Sequence, residues 1–176
     1  MPCLDMFAGA WGVERNIEDA KTGQTTRFDG TALFTPDGKG LIYDEEGQMH
    51  LPGQPPMHAS RRYLWRKVKG GIDVLFDDGR PFHHIGGGTE PQADHICTPD
   101  LYQVSYDFGH WPDWRATWRV SGPRKDYVMH SHYRPVAQVL HGTLASEQGL
   151  GHSSQSNSKR QNSHNAGGAK NGLYPD

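Results

Sequence analysis

The chain has 176 residues, enough for one domain, and carries 18 Lys and Arg against 20 Asp and Glu. That near balance leaves no basic footprint for nucleic acid or for an anionic membrane surface. No apolar run approaches the roughly 20 residues that a membrane helix needs, so neither nucleic acid nor membrane is an expected partner.

The opening "MPCLDMFAGAWGVERN" has no basic segment followed by an apolar one, so no secretory signal is expected. Two cysteines occur, Cys3 and Cys97, and Cys3 is too near the end for a structural bridge. A reduced, cytoplasmic protein is the simpler reading.

From there the chain alternates. "WGVERNI" puts Trp11, Val13, Arg15 and Ile17 on one face. "RFDGTALF" follows, then the turn "TPDGKG" and the run "LIYDE". "ASRRYLWRKV" sets Tyr63 and Trp65 on the same side, and "KGG" leads into "IDVLF". "DDG" supplies a tight hairpin turn into "RPFHHI", because glycine tolerates positive φ. A loop, "GGGTEPQAD", precedes "HIC". "LYQVSYDF", "DWRATWRV" and "YVMHSHYR" complete the series, with Tyr102, Val104 and Tyr106, then Trp114, Ala116, Trp118 and Val120, then Tyr127, Met129, Ser131 and Tyr133 each sharing a face. The triple glycine lacks the strand-to-helix setting of a nucleotide loop.

Period-two segments at regular spacing, with hairpin-like connections throughout, predict an all-β fold. The expected architecture is a single antiparallel up-and-down barrel of about eight to ten strands, since closure removes exposed sheet edges. The barrel is expected over residues 1–141. The remainder, 142–176, is rich in Ser, Asn, Gln and Gly, and reads as a disordered polar tail.

The blocks "GAWGVER", "FDDGRPFHH", "HICTPDLY" and "VSGPRKDY" resemble, in this order, a family of small bacterial and fungal domains of unknown function with a lipocalin-like, or calycin-like, barrel. The likeness spans about residues 7–135. It implies a β-barrel and an interior ligand site, and implies no reaction. In lipocalin-like barrels an arginine often packs on the first-strand tryptophan. That role on Trp11 falls to Arg15, Arg62, Arg119 or Arg134, with anion binding the other reading of Arg15.

The expected ligand-lining residues are the aromatics Trp11, Tyr63, Trp65, Trp114, Trp118 and Tyr127, with Arg15, Arg80, Phe82, His83, His84, Cys97 and Lys125. His83 and His84 cannot both face one pocket. Phe82 in the core would carry Arg80 and His84 inward, whereas a bulge at Pro81 would reverse the parity. A second cluster is a candidate acid–base site: His95 as acid or base, Asp100 to orient it and Tyr102 to polarise a carbonyl.

His130 and His132 have a usable two-ligand spacing, but no CxxC or HExxH motif completes a zinc site. An aromatic interior would also suit haem held by one histidine, though no haem motif is present. No cofactor and no metal are therefore expected. The leading expectation is interior binding of a small apolar or aromatic molecule. The alternatives are an acid–base isomerase, cyclase or hydratase, and a packed, non-catalytic interaction module. A pocket of at least ~300 Å³ separates the first two from the last.

Overall fold

A computed structural model describes residues 1–136. Ten strands follow a short 3-10 helix, Leu4–Phe7. They are β1 Gly9–Asp19, β2 Gln24–Pro36, β3 Leu41–His50, β4 Met57–Val68 and β5 Gly71–Phe76. Then come β6 Pro81–Gly86, β7 Gln92–Cys97, β8 Asp100–Asp107, β9 Trp114–Ser121 and β10 Asp126–Pro135. The expected boundary at 141 and the tail 142–176 lie outside the described residues.

The strands form one antiparallel sheet in the order β6-β5-β4-β3-β2-β1-β10-β9-β8-β7. Each chain neighbour from β1 to β6 and from β7 to β10 pairs through a hairpin, and β1 pairs with β10. The sheet thus curls into an up-and-down barrel that is closed except at one seam. There β6 and β7 end the hydrogen-bonded order and meet through side chains: the His95 ring lies 5.8 Å from Phe76 and 5.0 Å from Phe82.

The period-two pattern sets what points inward. Trp11, Val13, Arg15 and Ile17 of β1 are all buried, as are Tyr102, Val104 and Tyr106 of β8. On β9 the inward row is Trp114, Ala116, Trp118 and Val120, with Trp118 only partly covered. One-residue slippage would turn every such row to water, so the burial pattern fixes the register.

The barrel end at which β1 begins is stoppered by the 3-10 helix. Phe7 is fully buried and meets six rings: Trp11, Phe34, Trp65, Phe108, Trp111 and Trp114, with centroids 4.9–6.4 Å away. The Trp11 indole N–H donates to the Phe7 carbonyl at 2.8 Å, tying plug to wall. Trp11 is therefore covered by this cluster. Of the arginines expected to stack on it, Arg62 pairs with Asp44 and Arg134 with Glu14, both outside the barrel, and Arg15 turns to Glu45.

Phe7→Ala removes the stopper and leaves a cavity that surrounding rings only partly refill. The expected cost is about 3–5 kcal/mol, read from urea unfolding midpoints; a cost below about 1 kcal/mol contradicts the plug.

Candidate functional site

The centre of the barrel holds a buried ionic cluster. Arg15 of β1 is 3% exposed and faces Glu45 of β3, also 3% exposed. Their contact is bidentate, Nη1 to Oε1 at 2.8 Å and Nη2 to Oε2 at 2.7 Å. Arg15 also donates from Nε to Ser131 Oγ at 2.7 Å and from Nη2 to Tyr133 Oη at 3.3 Å. Arg61 of β4 approaches the same carboxylate, Nε to Oε1 at 3.0 Å. Tyr43 donates its hydroxyl to Glu45 Oε2.

This geometry decides the charge state. Burial alone would push the Glu45 carboxyl up, but Arg15 and Arg61 outweigh it and bring it down to about 2. Burial, and then the nearby Glu45 charge, push the Tyr43 phenol well up, so it stays a donor.

Phe28 forms a lid over Arg15, with the guanidinium carbon 5.1 Å from its ring centre. The ring lies over the cross-strand pair Gly30 and Gly47. A Cβ on Gly47 would come within 2.7 Å of Phe28 Cζ and 2.3 Å of the Asp29 carbonyl oxygen. Only glycine fits there, which is why β3 interrupts its inward row at that point.

Beside the cluster lies a cavity of about 40 Å³ walled by Tyr63, Trp65, Phe82, Tyr102, Tyr106, Trp114, Trp118 and Tyr133, with Arg15, Arg61, Tyr43 and His83 as polar lining. At roughly 10–15 Å³ per water centre, it has room for about three waters. That is well below the chamber expected from the strand count: rings fill most of the interior. Phe82 stacks on Trp118 at 5.2 Å and Trp114 on Tyr133 at 3.7 Å.

Two atoms at this cavity stand out. His83 Nδ1 and Trp114 Nε1 are buried and have no hydrogen-bond partner. Buried polar groups are nearly always satisfied, and each lapse costs about 1–3 kcal/mol. The other His83 nitrogen, Nε2, is 2.7 Å from Tyr106 Oη.

His83 reaches the interior through a bulge. Val74 pairs with His83 and Leu75 with Pro81, so Phe82 is the extra residue and both it and His83 turn inward. His84 then faces out, with Nδ1 2.7 Å from Asp73 Oδ1. Arg80 lies in the preceding turn, exposed, on Asp78 at 2.6 Å. Two residues expected to line the ligand site, Arg80 and His84, thus stand on the outer surface.

The expected acid–base cluster is divided. Asp100 pairs with Lys125 at 3.0 Å, and Lys125 also donates to the Tyr102 hydroxyl at 2.6 Å. Gly122 permits this, since a Cβ there would lie 1.9 Å from Asp100 Oδ1. His95 meets Tyr102 by ring contact at 6.3 Å and sits at the seam, outside the cavity lining. Cys97 is free and half-buried at the end of β7. Tyr127 is buried on β10. His130 points to Thr117 and His132 to Asp113, both on the outer face. Among the described residues no three His, Cys, Asp or Glu side chains converge as metal ligands. Nor is any helix there long and apolar enough to cross a membrane.

The residues that build this barrel and its interior, 7–135, match the model of a family of unknown function, DUF6314. The chain belongs to the DUF6314 family. The curated proteins include no sequence that matches it. Among solved structures, the DUF6314 barrel is similar to an S-type phycobiliprotein lyase from Guillardia theta. The TM-score is 0.51 at 9% identity, over 74% of this chain and 87% of the lyase chain. At that identity the likeness is one of fold alone, and it accords with the lipocalin-like, or calycin-like, barrel expected from the sequence.

Glu45 and Arg61 are absent from the expected site residues. Glu45 lies in "DEEG", which reads as a solvated strand end. The signal was the alternation Leu41, Tyr43, Glu45, all buried.

His83 offers a pH test. Burial first, then the His95 and His84 charges, bring its pKa from 6.5 down to about 3. The folded state refuses a proton that the unfolded chain accepts, so stability falls as pH drops from about 6.5 toward 3. Between pH 7 and pH 5 wild type should lose about 2 kcal/mol relative to His83→Gln, measured by urea unfolding. Parallel pH profiles for the two proteins contradict a neutral buried His83.

Proposed function

We propose that this barrel binds a small, largely apolar or aromatic molecule between its interior rings. The observation that carries the reading is the pair of unpartnered polar atoms, His83 Nδ1 and Trp114 Nε1, facing one aromatic cavity. An interior that satisfies Arg15 with four contacts yet leaves these two atoms open is organised for a further hydrogen-bonding group. The rings supply apolar area and stacking faces. The calycin-like fold shared with the phycobiliprotein lyase accords with an occupied interior.

The cavity of about 40 Å³ requires the wall to open for anything larger than a fragment. The β6–β7 seam is the natural place, because no backbone ladder crosses it. Cytoplasmic residence is part of the proposal and accords with two free cysteines.

A second reading is favoured by the small volume itself: a packed barrel that acts as an interaction module. Acid–base catalysis by His95, Asp100 and Tyr102 draws less support, because Lys125 already engages Asp100 and the Tyr102 hydroxyl.

Phenol is a suitable probe, a ring with one donor and one acceptor. In a two-dimensional NMR titration, saturable binding should move the Trp114 indole N–H signal. The Trp11 signal should stay, because Phe7 holds that N–H. A Trp114 signal unmoved by phenol, together with identical native and denatured masses for protein from its natural source, would favour the packed module.

A further inference from the structure

Resting on interior binding, we infer that the ligand meets this cavity with a carbonyl oxygen, an acceptor that brings no proton, received by the N–H groups of His83 and Trp114. The ligand class is then an aromatic or apolar ketone or aldehyde.

One proton decides which atoms donate. His83 and Trp114 line the cavity, and His83 Nδ1 and Trp114 Nε1 are buried without a partner. The indole N–H is a donor in every state. His83 Nδ1 donates only where it carries the ring's proton. The ring holds a single proton, because burial above all brings its pKa down to about 3. That proton stands on Nδ1 or on Nε2, and Nε2 lies 2.7 Å from Tyr106 Oη. Burial likewise pushes the Tyr106 phenol well up, so Oη keeps its own proton. A hydroxyl donor typically closes to about 2.7–2.8 Å, whereas an N–H donor settles nearer 2.9–3.0 Å. A neutral imidazole nitrogen also takes up a proton near pH 6.5, which a phenol oxygen does not. Tyr106 is therefore the donor and Nε2 the acceptor, and the ring proton stands on Nδ1.

Both orphans are thus N–H groups without an acceptor. Their rings adjoin one neighbour, Tyr106, at centroid distances of 6.0 Å for His83 and 6.3 Å for Trp114, so they belong to the same stretch of wall. Among the described residues no Asp, Glu, Asn or Gln lines the cavity. The missing acceptor has to come with the occupant. A carbonyl oxygen offers two lone pairs and no proton. A hydroxyl or an amine adds a further donor to a wall already short of acceptors. Water can serve as the acceptor in the free protein, and a ligand that displaces it without replacing its hydrogen bonds loses affinity. The surrounding rings take the rest of the ligand.

Acetophenone and α-methylstyrene test this, being alike in shape, with a C=O in one and a C=CH2 in the other. NMR titrations of the full chain should show acetophenone binding at least about tenfold tighter, with the Trp114 indole N–H signal moving. Trp114→Phe, which keeps a ring but has no N–H, should lower that preference at least about threefold. In the free protein, the nitrogen shifts of the His83 imidazole should show a protonated Nδ1 and a bare Nε2. Equal binding of the two probes, or tighter binding of the hydrocarbon, overturns the inference and leaves interior binding standing. So does a bare His83 Nδ1, or a preference undiminished in Trp114→Phe. Should neither probe bind, the inference and the interior-binding reading fail together. The wild-type comparison and the His83 shifts stand even if Trp114→Phe does not fold.

Discussion

A charge placed inside a β-barrel has to be answered by another, and here Arg15 is answered by Glu45. Both side chains are almost wholly covered, and their bidentate contact joins β1 to β3 through the interior. Ser131 and Tyr133 bring in β10, and Arg61 brings in β4. Four strands are thereby held to one point. Burying such a set gives little net stability over an apolar core, whereas removing one member leaves a stranded charge. The cluster gives the interior a polarity that packing alone would not require.

Around that point the protein is built asymmetrically. One end is shut by Phe7 and its ring of aromatic neighbours. The wall is continuous through nine strand pairs and interrupted between β6 and β7, where His95 rests against Phe76 and Phe82. Side-chain contact is easier to separate than a hydrogen-bonded ladder. The interior cavity borders this side of the barrel, since Phe82 and His83 of β6 line it. A small interior volume and a seam without a backbone ladder are therefore compatible with the interior binding proposed above.

Much of the fold was legible because alternation is unambiguous where apolar residues, anchored by a tryptophan, recur at every second position. Trp114, Ala116, Trp118 and Val120 announce an inward row, and so do Trp11, Val13, Arg15 and Ile17. The site was less legible, for three physical reasons. The bulge at Phe82 changes side-chain parity within "RPFHHI" and depends on pairing with β5, which no local pattern reveals. Glu45 looks solvated in an acidic run; alternation with Leu41 and Tyr43 marks its face, but the partner that explains its burial, Arg15, lies thirty residues away in sequence. Lys125 captures Asp100 across the β7–β8 and β9–β10 turns, so proximity in "HICTPDLY" misrepresents which groups share a proton. In each case the deciding contact is long-range.

The central claim is that an ionised, water-excluded Glu45 organises the barrel interior. The direct measurement is its side-chain carboxyl carbon shift, followed by NMR from pH 7 downward in the full chain. The account requires a carboxylate that stays ionised through pH 4 and titrates, if the fold persists, near 2. A Glu45 signal that titrates in the ordinary range around 4.5 would show a solvated carboxylate and would contradict the account.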